Sequence, residues 1–107
     1  MVSPAETSQI VFSALTATAT VNAATTFTLT AEDVYGNTTP GYVGEVHFTS
    51  TDLAAAVPLD YTFTLTDSGV RTSFSITFNT VGSSTISAHD TAIGSTIGGT
   101  SATVAVS

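Results

Sequence analysis

Apolar and polar residues alternate along most of this chain, in short runs separated by turn-forming residues. The two outer parts of residues 27–48 alternate in this way, as a β-strand with one buried face requires. The middle of the stretch contains Gly36 and Asn37, which favour turns. The pattern therefore predicts a strand, a loop and a strand, with Glu32 and Asp33 at the mouth of the loop.

The same alternation predicts seven strands, A to G. Their ranges are 8–13, 25–31, 42–49, 61–66, 70–78, 84–89 and 100–106. Strands D and E are expected to form a hairpin around residues 67–69, and residues 51–58 a single helical turn between the sheets. Seven short strands are typical of an immunoglobulin-like β-sandwich. We predict one all-β domain of about seven antiparallel strands over residues 8–107, after a linker at 1–7.

The predicted core is the apolar face of these strands. Its members are Phe12, Phe27, Leu29, Val46, Phe48, Phe63, Leu65, Phe74, Ile76, Phe78, Ile86 and Val104. No run of apolar residues approaches the ~20 that a membrane-spanning helix needs, so we expect no membrane insertion. The chain has no cysteine, which excludes disulfides and thiolate ligands.

Charge excludes two classes of partner. The chain contains one basic residue, Arg71, and eight acidic residues, which gives a net charge of −7. Nucleic acids and anionic membranes both require a basic surface, so neither is an expected partner. Polarity comes instead from 13 serines and 23 threonines, and threonine favours strands.

The two histidines do not suggest a catalytic or metal site. His47 lies late in strand C and His89 late in strand F, and these strands are antiparallel neighbours in the predicted fold. We therefore expect the two rings at opposite ends of the sheet, too far apart to share a metal. Asp90 follows His89 directly, but adjacent strand residues point to opposite faces. We predict exposed histidines and no enzyme activity.

Four acidic residues at the predicted loop ends raise the question of a calcium site. In this fold the B–C, D–E and F–G loops gather at the end where strand A begins. Glu32 and Asp33 open the first loop, Asp67 the second and Asp90 the third. Oxygen ligands from three loops would suit Ca²⁺ between consecutive modules. The alternative is that these acids start turns and cap backbone amides, and we favour it because no calcium-loop motif is present.

Four ordered elements resemble the bacterial immunoglobulin-like repeats of the invasin and intimin type. The resemblance covers roughly residues 10–106. The elements are residues 31–37 (AEDVYGN), residues 41–52, residues 60–64 followed by 67–70, and residues 86–91.

The resemblance implies a non-catalytic spacer or stalk in a larger exported bacterial surface protein or adhesin. Its partners would be neighbouring repeats of the same chain, at the cell surface or outside the cell, and an isolated domain would be monomeric without a cofactor. The alternative is an accessory module that binds a glycan or a protein through the B–C, D–E and F–G loops.

Overall fold

The computed structural model describes residues 7–93 and 95–107, which form ten strands and one short 3₁₀ helix. The predicted linker lies, apart from Thr7, outside the described residues. In the described part of the chain no helix is both long and apolar enough to cross a membrane. The strands are β1 (Gln9–Ser13), β2 (Thr18–Ala19), β3 (Ala24–Glu32), β4 (Glu45–Ser50), β5 (Tyr61–Thr62), β6 (Val70–Thr77), β7 (Gly82–Ser84), β8 (Ile86–Asp90), β9 (Gly98–Thr100) and β10 (Val104–Val106).

The strands form two packed layers. The first sheet has the order β1-β3-β6 and the second β5-β4-β8-β9. A further group, β2-β10-β7, continues the second sheet, since only Thr85 separates β7 from β8 and residues 101–103 separate β9 from β10. The predicted all-β sandwich is confirmed. Its strand count is ten rather than seven because predicted strand F is interrupted and β2 and β9 are short separate strands.

Aromatic side chains fill the space between the sheets. Phe27 on β3 meets Phe48 on β4 with ring centroids 6.0 Å apart, and Phe74 on β6 stacks on Phe27 at 5.5 Å. Most of the predicted core residues are buried. Phe12 is half-buried against this core, whereas Leu65 is 70% exposed, so the assignment of Leu65 to the core was wrong.

Leu65 is exposed because the predicted D–E hairpin does not form. Only Tyr61–Thr62 is a strand, and it pairs with β4 of the second sheet rather than with β6. Residues Leu65–Asp67 form the 3₁₀ helix, preceded by Thr64. The predicted helical turn over 51–58 is also wrong, since that segment contains a non-helical turn and an isolated β-bridge from Ala56 to Thr77.

A β-bulge interrupts β6. Phe27 pairs with Phe74, but Leu29 pairs with Arg71, so β6 has one extra residue in this interval. Ser73 lies there with a φ of 66°, a left-handed conformation that is uncommon for serine. The extra residue breaks the alternation of faces, which is why Val70 is exposed although Phe74 and Ile76 are buried.

The described chain enters and leaves at opposite ends of β3. The Ser8 amide donates to the Glu32 carbonyl at one end of this strand. At the other end, next to Ala24, the Asn22 amide donates to Phe78, and the Val21 amide donates to the carbonyl of Ser107. Nine strand residues at ~3.4 Å each separate the two ends by roughly 27 Å.

Candidate functional site

The predicted gathering of loops at one end is confirmed. The segment after β3 contacts the turn before β6, where the Ala31 amide donates to Gly69. The same segment reaches the end of β8, because the Tyr42 hydroxyl donates to the Asp90 carboxylate at 2.5 Å. Thr7, just before β1, shares a 2.6 Å hydroxyl contact with Thr39. We call this region the acidic loop end.

Asp33 organises the loop that follows β3. It continues the inward-facing register of that strand and is fully buried. Its Oδ1 accepts the backbone amides of Tyr35 and Asn37, each at 2.9 Å, and its Oδ2 accepts the Asn37 side-chain amide at 3.3 Å. The predicted turn-holding role is therefore confirmed for Asp33.

Asp67 plays the same part in the 3₁₀ helix. Its Oδ2 accepts the Tyr61 hydroxyl at 2.6 Å and the Thr64 amide at 2.9 Å. Arg71 approaches its Oδ1 at 3.9 Å and lies over the Tyr61 ring. The hydrogen bonds from Tyr61 and Thr64, aided by Arg71, hold the pKa of the Asp67 carboxyl below its usual value. This carboxylate stabilises a turn in its ionised form.

The remaining two acids of the predicted site, Asp90 and Glu32, have hydrogen-bond partners of their own. Asp90 is the last residue of β8, and its Oδ1 also accepts the Ala92 amide at 2.7 Å. Burial, reinforced by the hydrogen bond and the charge of Asp90, raises the pKa of the Tyr42 phenol. Glu32 lies on the opposite face of β3 from Asp33 and accepts the Gln9 side-chain amide at 3.3 Å.

The loops at the acidic loop end therefore contact one another, but their carboxylates do not form one cluster. Glu32, Asp33, Asp67 and Asp90 each accept hydrogen bonds from their own surroundings. Within residues 7–93 and 95–107, no three His, Asp or Glu side chains are close enough together to hold a metal ion. Calcium binding here stays a prediction.

A carboxylate outside the predicted calcium site, that of Asp52, joins two distant segments. Asp52 is buried between the segment after β4 and the turn after β6. Its oxygens accept the amides of Ala54, Asn79 and Thr80, and the Thr80 hydroxyl, all at 2.9–3.0 Å. Burial opposes ionisation, but the hydrogen bonds from Thr80, Asn79 and Ala54 outweigh it and lower the pKa of Asp52. No local pattern indicates this contact across 27 residues.

The predicted separation of the histidines is wrong. His47 and His89 are direct partners in the β4–β8 ladder, and their ring centroids are 5.5 Å apart. The error comes from the strand bounds: β4 begins at Glu45 rather than at residue 42, and β8 extends to Asp90. Both side chains are exposed, as predicted. His47 Nδ1 also lies 2.6 Å from Asp60 Oδ1.

The acidic loop end also exposes apolar side chains. Val34 and Tyr35 lie at the tip of the loop held by Asp33 and are 69% and 79% exposed. Leu65 on the 3₁₀ helix is exposed in the same way. A fixed loop that presents an aromatic ring is a suitable contact surface for another molecule.

One cleft lies elsewhere in the described chain, between the end of β1 and the start of β10. Phe12, Leu15 and Val104 contribute to its lining, and its volume is about 130 Å³. Sites for small molecules usually measure about 300–1,000 Å³. The cleft is thus too small to enclose a nucleotide or a sugar chain.

No family model matches the chain, and no curated protein matches it.

Proposed function

We propose that the domain is a non-catalytic spacer of a longer exported protein, joined head to tail to similar domains. The observation that carries this proposal is the position of chain entry and exit. Ser8 lies at one end of β3 and Ser107 near the other, so a preceding and a following domain would continue along one line. The domain is elongated, with extents of 45 × 28 × 22 Å, which suits a module that sets reach.

The electrostatics support the same proposal. With one basic residue and eight acids, neighbouring copies repel one another instead of associating side by side. The carboxylates at the acidic loop end hold loops in place, so the surface that a preceding domain would meet has a fixed shape. A location outside the cell or on its surface follows from this proposal and from the resemblance to bacterial surface repeats.

A chain of three head-to-tail copies tests the spacer proposal, measured by small-angle X-ray scattering against the single domain. We expect each added copy to lengthen the particle by close to the 45 Å long axis of one domain, with an unchanged cross-section. A particle that thickens and gains less than half of that length per copy would overturn the proposal.

The alternative function is a binding module for a glycan or a protein, and the exposed tip of Val34 and Tyr35 favours it. If the tip binds a ligand, the Tyr35→Ala variant loses a saturable signal on a glycan array or in a pull-down. The matched control is Leu53→Ala, which removes another exposed side chain, next to Asp52. Absence of saturable binding by the unmodified domain leaves the spacer as the function.

A further inference from the structure

Three polar side chains form one row across the exposed face of the second sheet. His47 on β4 lies directly opposite His89 on β8. Val46 pairs with Tyr61, which places Asp60 beside His47 on the other side. We call these three residues the histidine row. It faces solvent on the outer face of the second sheet, next to the acidic loop end because Asp90 follows His89, and no role in a spacer requires it.

Asp60 determines which nitrogen of His47 is available. A carboxylate can only accept a hydrogen bond, so the 2.6 Å contact requires that His47 Nδ1 carries the proton. In the neutral ring Nε2 then has the free lone pair. Carboxylates oriented in this way against the second nitrogen of a histidine are the usual partners of metal-binding imidazoles, and they also increase the basicity of the ligand.

His89 is equally available. Its ring contacts His47, and neither of its nitrogens is hydrogen-bonded to another residue of the described chain. Its neighbour on β9 is Gly98, which has no side chain to cover the ring. Both rings therefore have a nitrogen that can turn toward a common point above the sheet.

The spacing of the rings fits a shared cation. A tetrahedral metal ion that binds two imidazole nitrogens at ~2.0–2.1 Å places the ring centres about 5 Å apart. The observed separation is 5.5 Å, in an edge-to-face arrangement. A small rotation of exposed side chains is enough to reach that geometry, and the strand pairing keeps the two backbones in register.

We propose that His47 and His89 form a two-histidine binding site for a divalent transition-metal cation, with Asp60 as the positioning residue. Imidazole suits Zn²⁺, Ni²⁺ and Cu²⁺, whereas Ca²⁺ and Mg²⁺ prefer oxygen ligands. The net charge of −7 attracts cations to the surface. No third ligand side chain completes the site in the described chain, so water or a ligand from another molecule occupies the remaining positions.

The test is calorimetric titration of the whole chain with ZnCl₂ and NiCl₂, with excess CaCl₂ present to occupy any carboxylate sites. We expect one zinc or nickel ion per chain. The ring resonances of both histidines should move together with added zinc in NMR spectra. His47→Gln and His89→Gln should each lower the affinity at least tenfold, because a single imidazole remains.

Asp60→Asn isolates the positioning role, and Glu45→Gln is its matched control. Both variants remove one negative charge beside His47, but Glu45 bonds to Thr91 and not to the ring. We expect Asp60→Asn to weaken zinc binding by about tenfold and Glu45→Gln to change it less than twofold. Equal effects of the two variants would overturn the role of Asp60. Single-histidine variants that bind zinc as tightly as the unmodified chain would overturn the site itself.

All four substitutions lie at exposed positions or at the surface of the second sheet, and their thermal midpoints without metal show whether each variant is folded. A variant that keeps its midpoint and loses zinc affinity supports the site. Zinc affinity that persists when both histidines are replaced assigns the metal to other groups and contradicts it.

Discussion

The acidic loop end and the histidine row differ in what their polar atoms already do. At the loop end, Asp33 and Asp67 accept several hydrogen bonds from the turns they begin, so their oxygens are occupied by the fold. In the histidine row, Asp60 engages one nitrogen of His47, and the other imidazole nitrogens face solvent. The acidic loop end thus has more residues of the types that bind metals. The histidine row has fewer, but its imidazole nitrogens are more accessible to a ligand.

This difference shows that the number of ligand-type side chains is a poor guide to a binding site. A carboxylate that follows a strand finds unpaired backbone amides within a few residues, and these amides compete with any cation for its oxygens. A histidine on the exposed face of a paired strand has no such partners, because the backbone around it is already paired in the sheet. The two regions should therefore respond differently to substitution and to added metal.

The largest expected effect concerns the core that supports both regions. Phe74 packs against Phe27 and Phe48, and these residues lie on the strands that lead to Asp33 and His47. Phe74→Ala should lower the free energy of unfolding by about 3–5 kcal/mol in urea denaturation. The control is Leu65→Ala at an exposed position, with an expected loss below about 1 kcal/mol. Similar losses for the two variants would contradict the packing described.

The second-largest expected effect distinguishes the acidic loop end from the histidine row. Asp33→Ala leaves the amides of Tyr35 and Asn37 without their acceptor and should cost about 2–3 kcal/mol in the same measurement. Asp60→Ala removes an exposed carboxylate from the histidine row and should cost less than about 1 kcal/mol. If Asp60→Ala were the more destabilising change, the histidine row would be a structural element rather than an available site.

Alkaline pH should weaken the loop end selectively. Burial and Asp90 raise the pKa of Tyr42, and burial and Asp67 raise the pKa of Tyr61. Because both folded values lie above the unfolded value of ~10, their stabilising contribution is complete below pH ~10 and is lost as the pH rises further.

Thermal midpoints measured across this range should fall for the unmodified chain and less steeply for Tyr42→Phe. The control is Tyr35→Phe, at an exposed phenol, which should retain the slope of the unmodified chain. A midpoint that stays constant above pH ~10 would show that neither tyrosine is held in its protonated form by the fold.

The smallest expected effect is that of calcium. Because its carboxylates are engaged, the loop end should give the same thermal midpoint in millimolar Ca²⁺ and in EDTA, whereas Zn²⁺ should raise the midpoint through the histidine row. A calcium-dependent rise that disappears in Asp67→Asn would instead establish the calcium site among Glu32, Asp33, Asp67 and Asp90.

Alternation of apolar residues was enough to predict the sandwich and its central strands. Phe27, Leu29 and Ala31 are buried on β3 as expected, and Val46 and Phe48 on β4. It failed at Leu65, which continues the alternation of Tyr61 and Phe63 but lies on the 3₁₀ helix and is exposed. There Asp67 accepts the Thr64 amide and the Tyr61 hydroxyl, and these bonds favour a 3₁₀ turn over continued pairing.

The sites depended on information that local patterns do not contain. The role of the loop acids was predictable because a carboxylate that begins a turn bonds to backbone amides a few residues further on, as Asp33 does. The pairing of His47 with His89 depends on where two distant strands begin, and a shift of a few residues in either strand separates the rings. The hydrogen bonds that Asp52 accepts from Asn79 and Thr80 depend on the folded arrangement of distant segments, so only the structure shows them.

The parallel pairing of β2 with β10 has a mechanical consequence. Tension applied through the two chain ends pulls β1 toward the end of the fold marked by Glu32 and pulls β10 the opposite way. The ladders β1–β3 and β2–β10 are then sheared along their strands, with the hydrogen bonds of the first perpendicular to the pull and those of the second slanted to it. Hydrogen bonds loaded in this way break together rather than one at a time. The resistance of the domain to stretching is therefore carried by the short β1–β3 and β2–β10 ladders.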